Sequence, residues 1–417
     1  MAVATVTFDD VKAAAARIAG GIERTPCRRS SALSDHFGAE IFCKLDYRQA
    51  TGSFKERGAR NTLLQLDASQ RARGVIAASA GNHALALAYH GRDLGIPVTV
   101  CMPRFAPLIK QVRCKELGAR VVVYGDNIAE ARVRADQLVG MEGLAYINGF
   151  NDASIIAGAG TMALEVFEQV ERLDAVIVPI GGGGLLAGVG LVARAVSPDT
   201  KVIGVEPFRA ASFRAAMEAG HPVRVSMEPT LADGLAVPEV GDLAFSIARD
   251  HVDEVIEVGE EAISLAILRL IEWEKGVVEG AGAASLAAFI AGRVPQLKGK
   301  RVALMLCGGN IDPTTLARVI EHGLAVDGRI VQFTAIIKDR PGGLAELATT
   351  LATAGASVKQ VSHERAFGGP DISKVQVLCQ VEVRGPEHAE QVYAALRDCG
   401  ITVLERSRMG LSRFGED

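Results

Sequence analysis

The chain has 417 residues, 49% of them hydrophobic and 23% charged, with a formal net charge of -4. That length exceeds one domain at a soft prior of roughly 150 residues each, and the composition is that of a soluble α/β enzyme rather than a disordered chain. Basic and acidic residues are interleaved with no basic block, so nucleic acid is not an expected partner.

Read in chain order, the opening MAVATVTFDDVKAAAARIAGG carries Asp9, Asp10 and Lys12 ahead of its alanine run and lacks the basic and apolar regions of a secretion signal. The stretch QATGSFKERGARN, residues 49–61, then sets Lys55 among small, hydroxylated and aromatic neighbours. Thr51, Gly52 and Ser53 form a close-approach loop, Phe54 offers an aromatic face, and a helix is predicted just beyond. From residue 74 apolar β-branched runs (GVIAAS, PVTVCMP, ARVVVYG, AYING, AVIVPIG, KVIGVE, RVALMLCGG) alternate with helical patterns. Strands apolar on both faces and joined through helices predict parallel sheets covered on both sides. Right-handed crossovers then bring the turns SAGNHA, GGGGLL and CGGNID to one edge, where they converge on one crevice. The apolar run VIVPIGGGGLLAGVGLVA is broken by four glycines and reads as a strand and a helix, not a membrane span.

The rhythm changes after ARVIEHGLAVDGR, and from residue 330 it is β-α-β-β-α-β, a ferredoxin-like unit. A boundary near 325 is expected, giving a catalytic domain over 1–325, with a smaller subdomain roughly at 50–150 inside it, and a second domain over 326–417. The seven cysteines are widely spaced with no C-x-x-C pair, so they read as reduced thiols of a cytoplasmic protein rather than zinc ligands or disulfides.

GGGGLLAG, residues 181–188, admits three readings. Successive N–H groups beside a helix N-terminus suit a phosphate. Gly182, Gly184 and Ala187 also fit a dinucleotide fingerprint, with Glu206 placed for a ribose, and a plain packing turn is the third possibility. Lys55 bears on the choice: a lone lysine in a turn is ordinarily a solvated charge, but a buried one beside a phosphate site is what pyridoxal phosphate requires.

TGSFKERGA, SAGNHA, GGGGLLAG, EGAGA and CGGNID, in this order over about 300 residues, resemble the threonine and serine dehydratases of the fold type II pyridoxal phosphate enzymes. DRPGGL at the first strand-to-helix turn of the C-terminal unit resembles an ACT regulatory domain. The resemblance implies an α/β fold with two parallel-sheet subdomains, a tryptophan synthase β-like architecture, followed by the ACT-like βαββαβ unit. It implies that Lys55 holds the cofactor covalently and then removes the substrate Cα proton. It places Phe54 against the cofactor ring and Asn82 on its 3-hydroxyl. Gly181, Gly182, Gly183, Gly184 and Leu185 would bind the phosphate, and Gly234 and Glu279 would lie near the cofactor. Cys307 would stand beside the pyridine nitrogen where the family usually has serine. A neutral partner there leaves that nitrogen unprotonated, which favours prompt β-elimination. Thr51 and the turn Ser79, Ala80, Gly81, Asn82, His83 would receive the substrate.

The expected reaction is β-elimination of water from L-threonine or L-serine, giving a 2-oxo acid and ammonia. Ala80 replaces the second serine of the serine racemases, so racemisation should be weak. Gly149 and Asn151 replace the proline and first aspartate of a family P-F-D-D stretch, which puts the preferred hydroxy amino acid in doubt if this loop lines the substrate side. Glu206, Ala210 and Ser212 fall where some relatives bind a cation; with one carboxylate a divalent site is not expected, a monovalent ion is the weaker reading and a solvated or helix-capping role the stronger. Glu279 could equally cap the helix after it. In the ACT-like unit Asp339, Gly342, Gly343 and Leu344 are the candidate contacts for an amino-acid effector, against a plain turn, and one copy per chain predicts a homodimer or homotetramer. Two other readings stay in view: a nicotinamide-dependent dehydrogenase using Gly182 and Glu206, and an amino-acid sensor whose larger domain is a relic.

Overall fold

The fold is taken from a computed structural model, which describes residues 5–365, 371 and 373–407. The chain divides into two compact units, Met1–Asp312 and Pro313–Asp417. The division falls earlier than the expected boundary near 325, because the helix Pro313–Val326 groups with the second unit rather than the first.

In the first unit β1 (Cys27–Arg29) and β2 (Glu40–Lys44) open one sheet, and β3 (Val75–Ala78), β4 (Val98–Met102), β5 (Arg120–Val123) and β6 (Ala145–Tyr146) form another. The chain then returns to the first sheet with β7 (Ala175–Pro179), β8 (Lys201–Pro207), β9 (Glu254–Val258) and β10 (Arg301–Met305). The larger sheet runs β1-β2-β10-β7-β8-β9, parallel except for the antiparallel edge strand β1. The smaller runs β5-β4-β3-β6 and is parallel throughout. Every residue of β4 and β7 is buried, as helices on both faces require, whereas the edge strand β5 exposes Arg120 and Val123. The strand-to-helix turns therefore belong to two sheet edges, not the single edge expected: SAGNHA follows β3, and GGGGLL and CGGNID follow β7 and β10.

Glycines let three helices of this unit touch backbone to backbone. A Cβ on Gly188 would lie 2.6 Å from the Gly160 nitrogen, which joins the helix Gly184–Val196 to the helix Ala153–Gln169. A Cβ on Gly158 would lie 2.6 Å from Gly58 Cα, which seats the helix Lys55–Leu64 on the same neighbour. Asp152 starts that shared helix by accepting N–H groups from Ser154 at 2.8 Å and Ile155 at 3.0 Å.

A fully paired ionic cluster locks this contact. Arg57, two residues after Lys55 and without solvent exposure, donates from Nε and Nη2 to Asp46 at 2.6 and 2.9 Å, and from Nη1 and Nη2 to Glu165 at 2.6 and 2.9 Å. Lys44, equally buried at the end of β2, pairs with Glu165 at 2.5 Å, and Thr25 Oγ1 donates to Asp46 at 2.5 Å. Burial alone would raise the Asp46 carboxyl, but the Arg57 and Lys44 charges and the hydrogen bonds hold it below its ordinary value.

The second unit is an antiparallel sheet of β11 (Ile330–Lys338), β12 (Ser357–Glu364), β13 (Lys374–Glu382) and β14 (Thr402–Ser407), in the order β12-β13-β11-β14. Helices Gly343–Thr353 and Pro386–Asp398 complete a βαββαβ, ferredoxin-like topology. Residues of β11 alternate between buried and half-exposed, and buried Phe333 meets Tyr393 edge to face at 5.4 Å in the core. Among the described residues no helix is long and apolar enough to cross a membrane.

Candidate active site

Lys55 is the first residue of its helix, and a hydrogen bond from Phe54 N to the Cys307 carbonyl at 2.9 Å holds the preceding loop against the end of β10. The half-buried Lys55 side chain donates from Nζ to the Gly149 carbonyl at 2.7 Å and lies 5.1 Å from the Phe54 ring centroid. Burial lowers its pKa to about 8, against an opposite pull from Cys307 and Glu279. A substantial fraction of the amine is thus neutral, and nucleophilic, near physiological pH.

The polar turns gather around this amine. Asn82 begins the helix Asn82–Leu94; its Nδ2 donates to Glu279 Oε1 at 2.6 Å and its Oδ1 accepts from Asn310 Nδ2 at 2.9 Å. Glu279 sits at the cap position of the helix Gly280–Ile290, yet its side chain makes no capping bond and turns to Asn82 instead. Burial, and next the Asp233 charge, raise Glu279 to about 7. Gly234 lies beside it and packs against Ala281, whose Cβ would be 3.0 Å from a Cβ on Gly234. Cys307 is buried, its Sγ directed to the Ala281 carbonyl at 3.8 Å, and burial pushes its thiol far above the ordinary range, so it is neutral. Buried His83 donates from Nε2 to the Ile147 carbonyl at 3.2 Å, and burial followed by the Lys55 charge lowers it to about 3. Its imidazole is neutral, with Nδ1 free to accept.

Two sets of unused groups indicate what fits here. Thr51 Oγ1, Ser53 Oγ and His83 Nδ1 are buried without a partner, which is costly unless something bound completes them. Among the described residues no protein acceptor takes the N–H groups of Gly181 to Leu185 at the start of the helix Gly184–Val196. With Gly183 in the left-handed region at φ 89°, these amides form an anion cradle beside a helix N-terminus. The Phe150 ring covers Gly182, where a Cβ would lie 2.2 Å from it. Gly182→Ala, which forces the Phe150 ring aside, should therefore weaken cofactor uptake by about tenfold in an absorbance titration of the apoprotein and lower its melting temperature as well. An unchanged titration would remove Gly182 from the cradle.

Other expected residues are placed as follows. Ser79 Oγ accepts the Gly81 N–H at 3.3 Å, and the half-buried Ala80 methyl packs into the core of the smaller sheet. Asn151 turns away from the site: its Oδ1 accepts from Leu243 and Ala244 at 2.9 and 3.3 Å, capping the helix Asp242–Ala248. Glu206 is buried rather than solvated and accepts from Phe213 and Arg214 at 3.0 and 2.8 Å, capping the helix Ser212–Ala219, while buried Ala210 lies in the turn before it. Burial, against those two N–H groups, raises Glu206 to about 7. In the second unit Asp339 pairs with Arg365 at 3.0 Å, Gly342 has φ 92°, a Cβ on Gly343 would meet the Lys338 carbonyl at 2.3 Å, and Leu344 is exposed.

A lysine of lowered pKa, an amide anion cradle, a neutral thiol and unsatisfied hydroxyls across two parallel sheets define a fold type II pyridoxal phosphate enzyme. The chain belongs to the family described as pyridoxal-phosphate dependent enzyme, whose model matches residues 18–308, and pyridoxal phosphate is its cofactor. It is 41% identical over 391 residues to an L-threonine ammonia-lyase of Thermotoga maritima, covering 94% of this chain and 97% of that one. Among solved structures it is similar to the processed threonine deaminase isoform 2 of Solanum lycopersicum, with a TM-score of 0.71, 34% identity and coverage of 76% and 94%. It is also similar to a serine racemase of Dictyostelium discoideum, with a TM-score of 0.70, 36% identity and coverage of 74% of this chain and 100% of that one.

Proposed function

We propose that this protein is a pyridoxal phosphate-dependent threonine ammonia-lyase that eliminates water from L-threonine, and from L-serine, to give 2-oxobutanoate or pyruvate and ammonia. The observation that carries the reading is the Lys55 amine, lowered to about 8 and set among buried hydroxyls and free amides. Near-full-length similarity to a threonine ammonia-lyase supports the substrate. Bound pyridoxal phosphate supplies the electron sink that makes the substrate Cα–H acidic. Lys55 Nζ takes that proton, and the free N–H groups of Asn82 and His83 at a helix start receive the substrate carboxylate. Gly181 to Leu185 hold the phosphate, Phe54 and Asn82 orient the ring, and neutral Cys307 leaves its nitrogen uncharged. Thr51 Oγ1 and the unsatisfied Ser53 Oγ face the substrate. Ala80 carries no proton to return to the opposite face, so elimination is favoured over racemisation. A panel of hydroxy amino acids tests this: ammonia release should be greatest with L-threonine, racemisation of L-serine should be slower than its deamination, and a colourless protein that binds NAD would sink the reading.

The second unit is proposed to be an ACT domain in which Asp339, Gly342, Gly343 and Leu344 contact an amino-acid effector, in a cytoplasmic homodimer or homotetramer. Its βαββαβ topology supports the domain reading. Titrating isoleucine and valine against the activity of the whole chain should shift KM or kcat. The same titration on a chain ending at Asp312 should be flat; equal responses would remove the unit from the regulatory account.

A further inference from the structure

The CGGNID turn contains an asparagine whose bonds decide the orientation of another. We propose that Asn310 is a positioning residue that fixes the Asn82 carboxamide so that it presents an N–H, not a carbonyl, to the ring oxygen of the cofactor. This rests on the reading that Asn82 faces that oxygen.

Asn310 Nδ2 lies 2.6 Å from the Thr51 carbonyl and 2.9 Å from Asn82 Oδ1. A main-chain carbonyl can only accept, so the nitrogen of Asn310 must face it. The same NH2 meets the Asn82 amide, which must then offer its oxygen; turned by half a revolution, Asn82 would set donor against donor. With its oxygen so engaged, Asn82 Nδ2 donates one hydrogen to Glu279 Oε1 at 2.6 Å and keeps the second for a bound group. Asn310 is itself seated by a glycine: Gly52 has φ 81°, and a Cβ there would lie 2.7 Å from Asn310 Oδ1. The other neighbour of that oxygen is Arg113 Nη1 at 3.4 Å. One side chain thereby joins the Lys55 loop, the Asn82 turn and the end of β10.

An N–H aimed at the ring oxygen favours its ionised form; a carbonyl there requires the oxygen to keep its proton. The two forms absorb in separate bands, the ionised one at longer wavelength, so the band ratio of the lysine-bound cofactor reports which group Asn82 presents. Asn310→Ala removes one of the two bonds that orient Asn82 and leaves Glu279 alone to hold it; it should lower the long-wavelength fraction, with cofactor binding about tenfold weaker. Asn310→Asp, nearly isosteric, can only accept when ionised; its carboxylate meets the Asn82 oxygen acceptor to acceptor and competes with Glu279 for the Asn82 NH2, so it should lower that fraction further than alanine does. A role in packing alone predicts the opposite order. In an Asn82→Ala background both Asn310 variants should leave the band ratio unchanged, and melting of each apoprotein checks the fold. A parent protein that takes up no cofactor overturns both this proposal and the functional reading. A coloured parent with Lys55 labelled by borohydride, and Asn310 variants of unchanged band ratio, overturns the role of Asn310 alone.

Discussion

Replacing Lys55 with alanine is expected to abolish borohydride-stable attachment of the cofactor and to cut ammonia release from L-threonine by about 10³-fold or more, since the proposed function makes one residue both covalent holder and proton acceptor. Mass spectrometry of the reduced protein and steady-state assay check the two effects separately. The surroundings predict that no neighbour takes over. His83, lowered to about 3 chiefly by burial, is too weak a base, and Cys307 holds its proton far above the working pH. Glu279 is committed to Asn82. If Lys55→Ala released ammonia at the parent rate, the proton acceptor would have to be sought elsewhere.

The largest expected effect on stability is that of Arg57→Met. The guanidinium satisfies two carboxylates at once, and its removal leaves Asp46 and Glu165 with only Lys44 between them. Breaking a buried ionic cluster by removing one member costs about 3–5 kcal/mol, because the remaining charge stays desolvated. A matching fall in the urea midpoint is expected, and cofactor occupancy should fall with it because Arg57 lies one helical half-turn from Lys55. The parent protein should also show the linkage of Asp46. Its folded pKa is depressed below the ordinary value of an aspartate, so the contribution is complete at neutral pH and is lost as pH falls through the acidic range below about 4. An Arg57→Met protein with the parent's urea midpoint would mean that the cluster contributes nothing net.

The turns around Lys55 were legible in the sequence because their chemistry is compressed into a few contiguous residues: a run of glycines after an apolar strand can do little but expose amides. The alternating strands β3 to β8 and β10 were legible for the same reason, lying in apolar runs; β9 was not, because Glu254 and Glu257 interrupt EVIEV. β2 was not, since its apolar core Ile41–Cys43 is three residues between Glu40 and Lys44, and charged ends suggest a surface segment until Glu165 is seen to pair with Lys44. The cluster of Lys44, Asp46, Arg57 and Glu165 escaped sequence reading because its members come together only across the fold; the one local signal was Arg57 on the helix that Lys55 starts. The Gly149 carbonyl that holds the Lys55 amine left no mark at all, being main chain. Asn310 stood inside a quoted motif, and only its distances to Thr51 and Asn82 show what it does. The helix Pro313–Val326 carries no sequence signal that assigns it to one unit or the other.

The order of strands in the larger sheet also bears on how the chain reaches this state. β10, the last of its strands in sequence, is inserted between β2 and β7 and pairs Arg301 with Glu40 and Val302 with Ala175. Until residue 305 has left the ribosome, β2 and β7 stand apart with open edges, and the helix bearing Lys55 lacks the Cys307 carbonyl that tethers its loop. The catalytic unit is thus a late-closing assembly of high contact order. Its nascent chain must hold unpaired parallel strands for nearly its whole synthesis, which makes folding slow and early termination prone to aggregation.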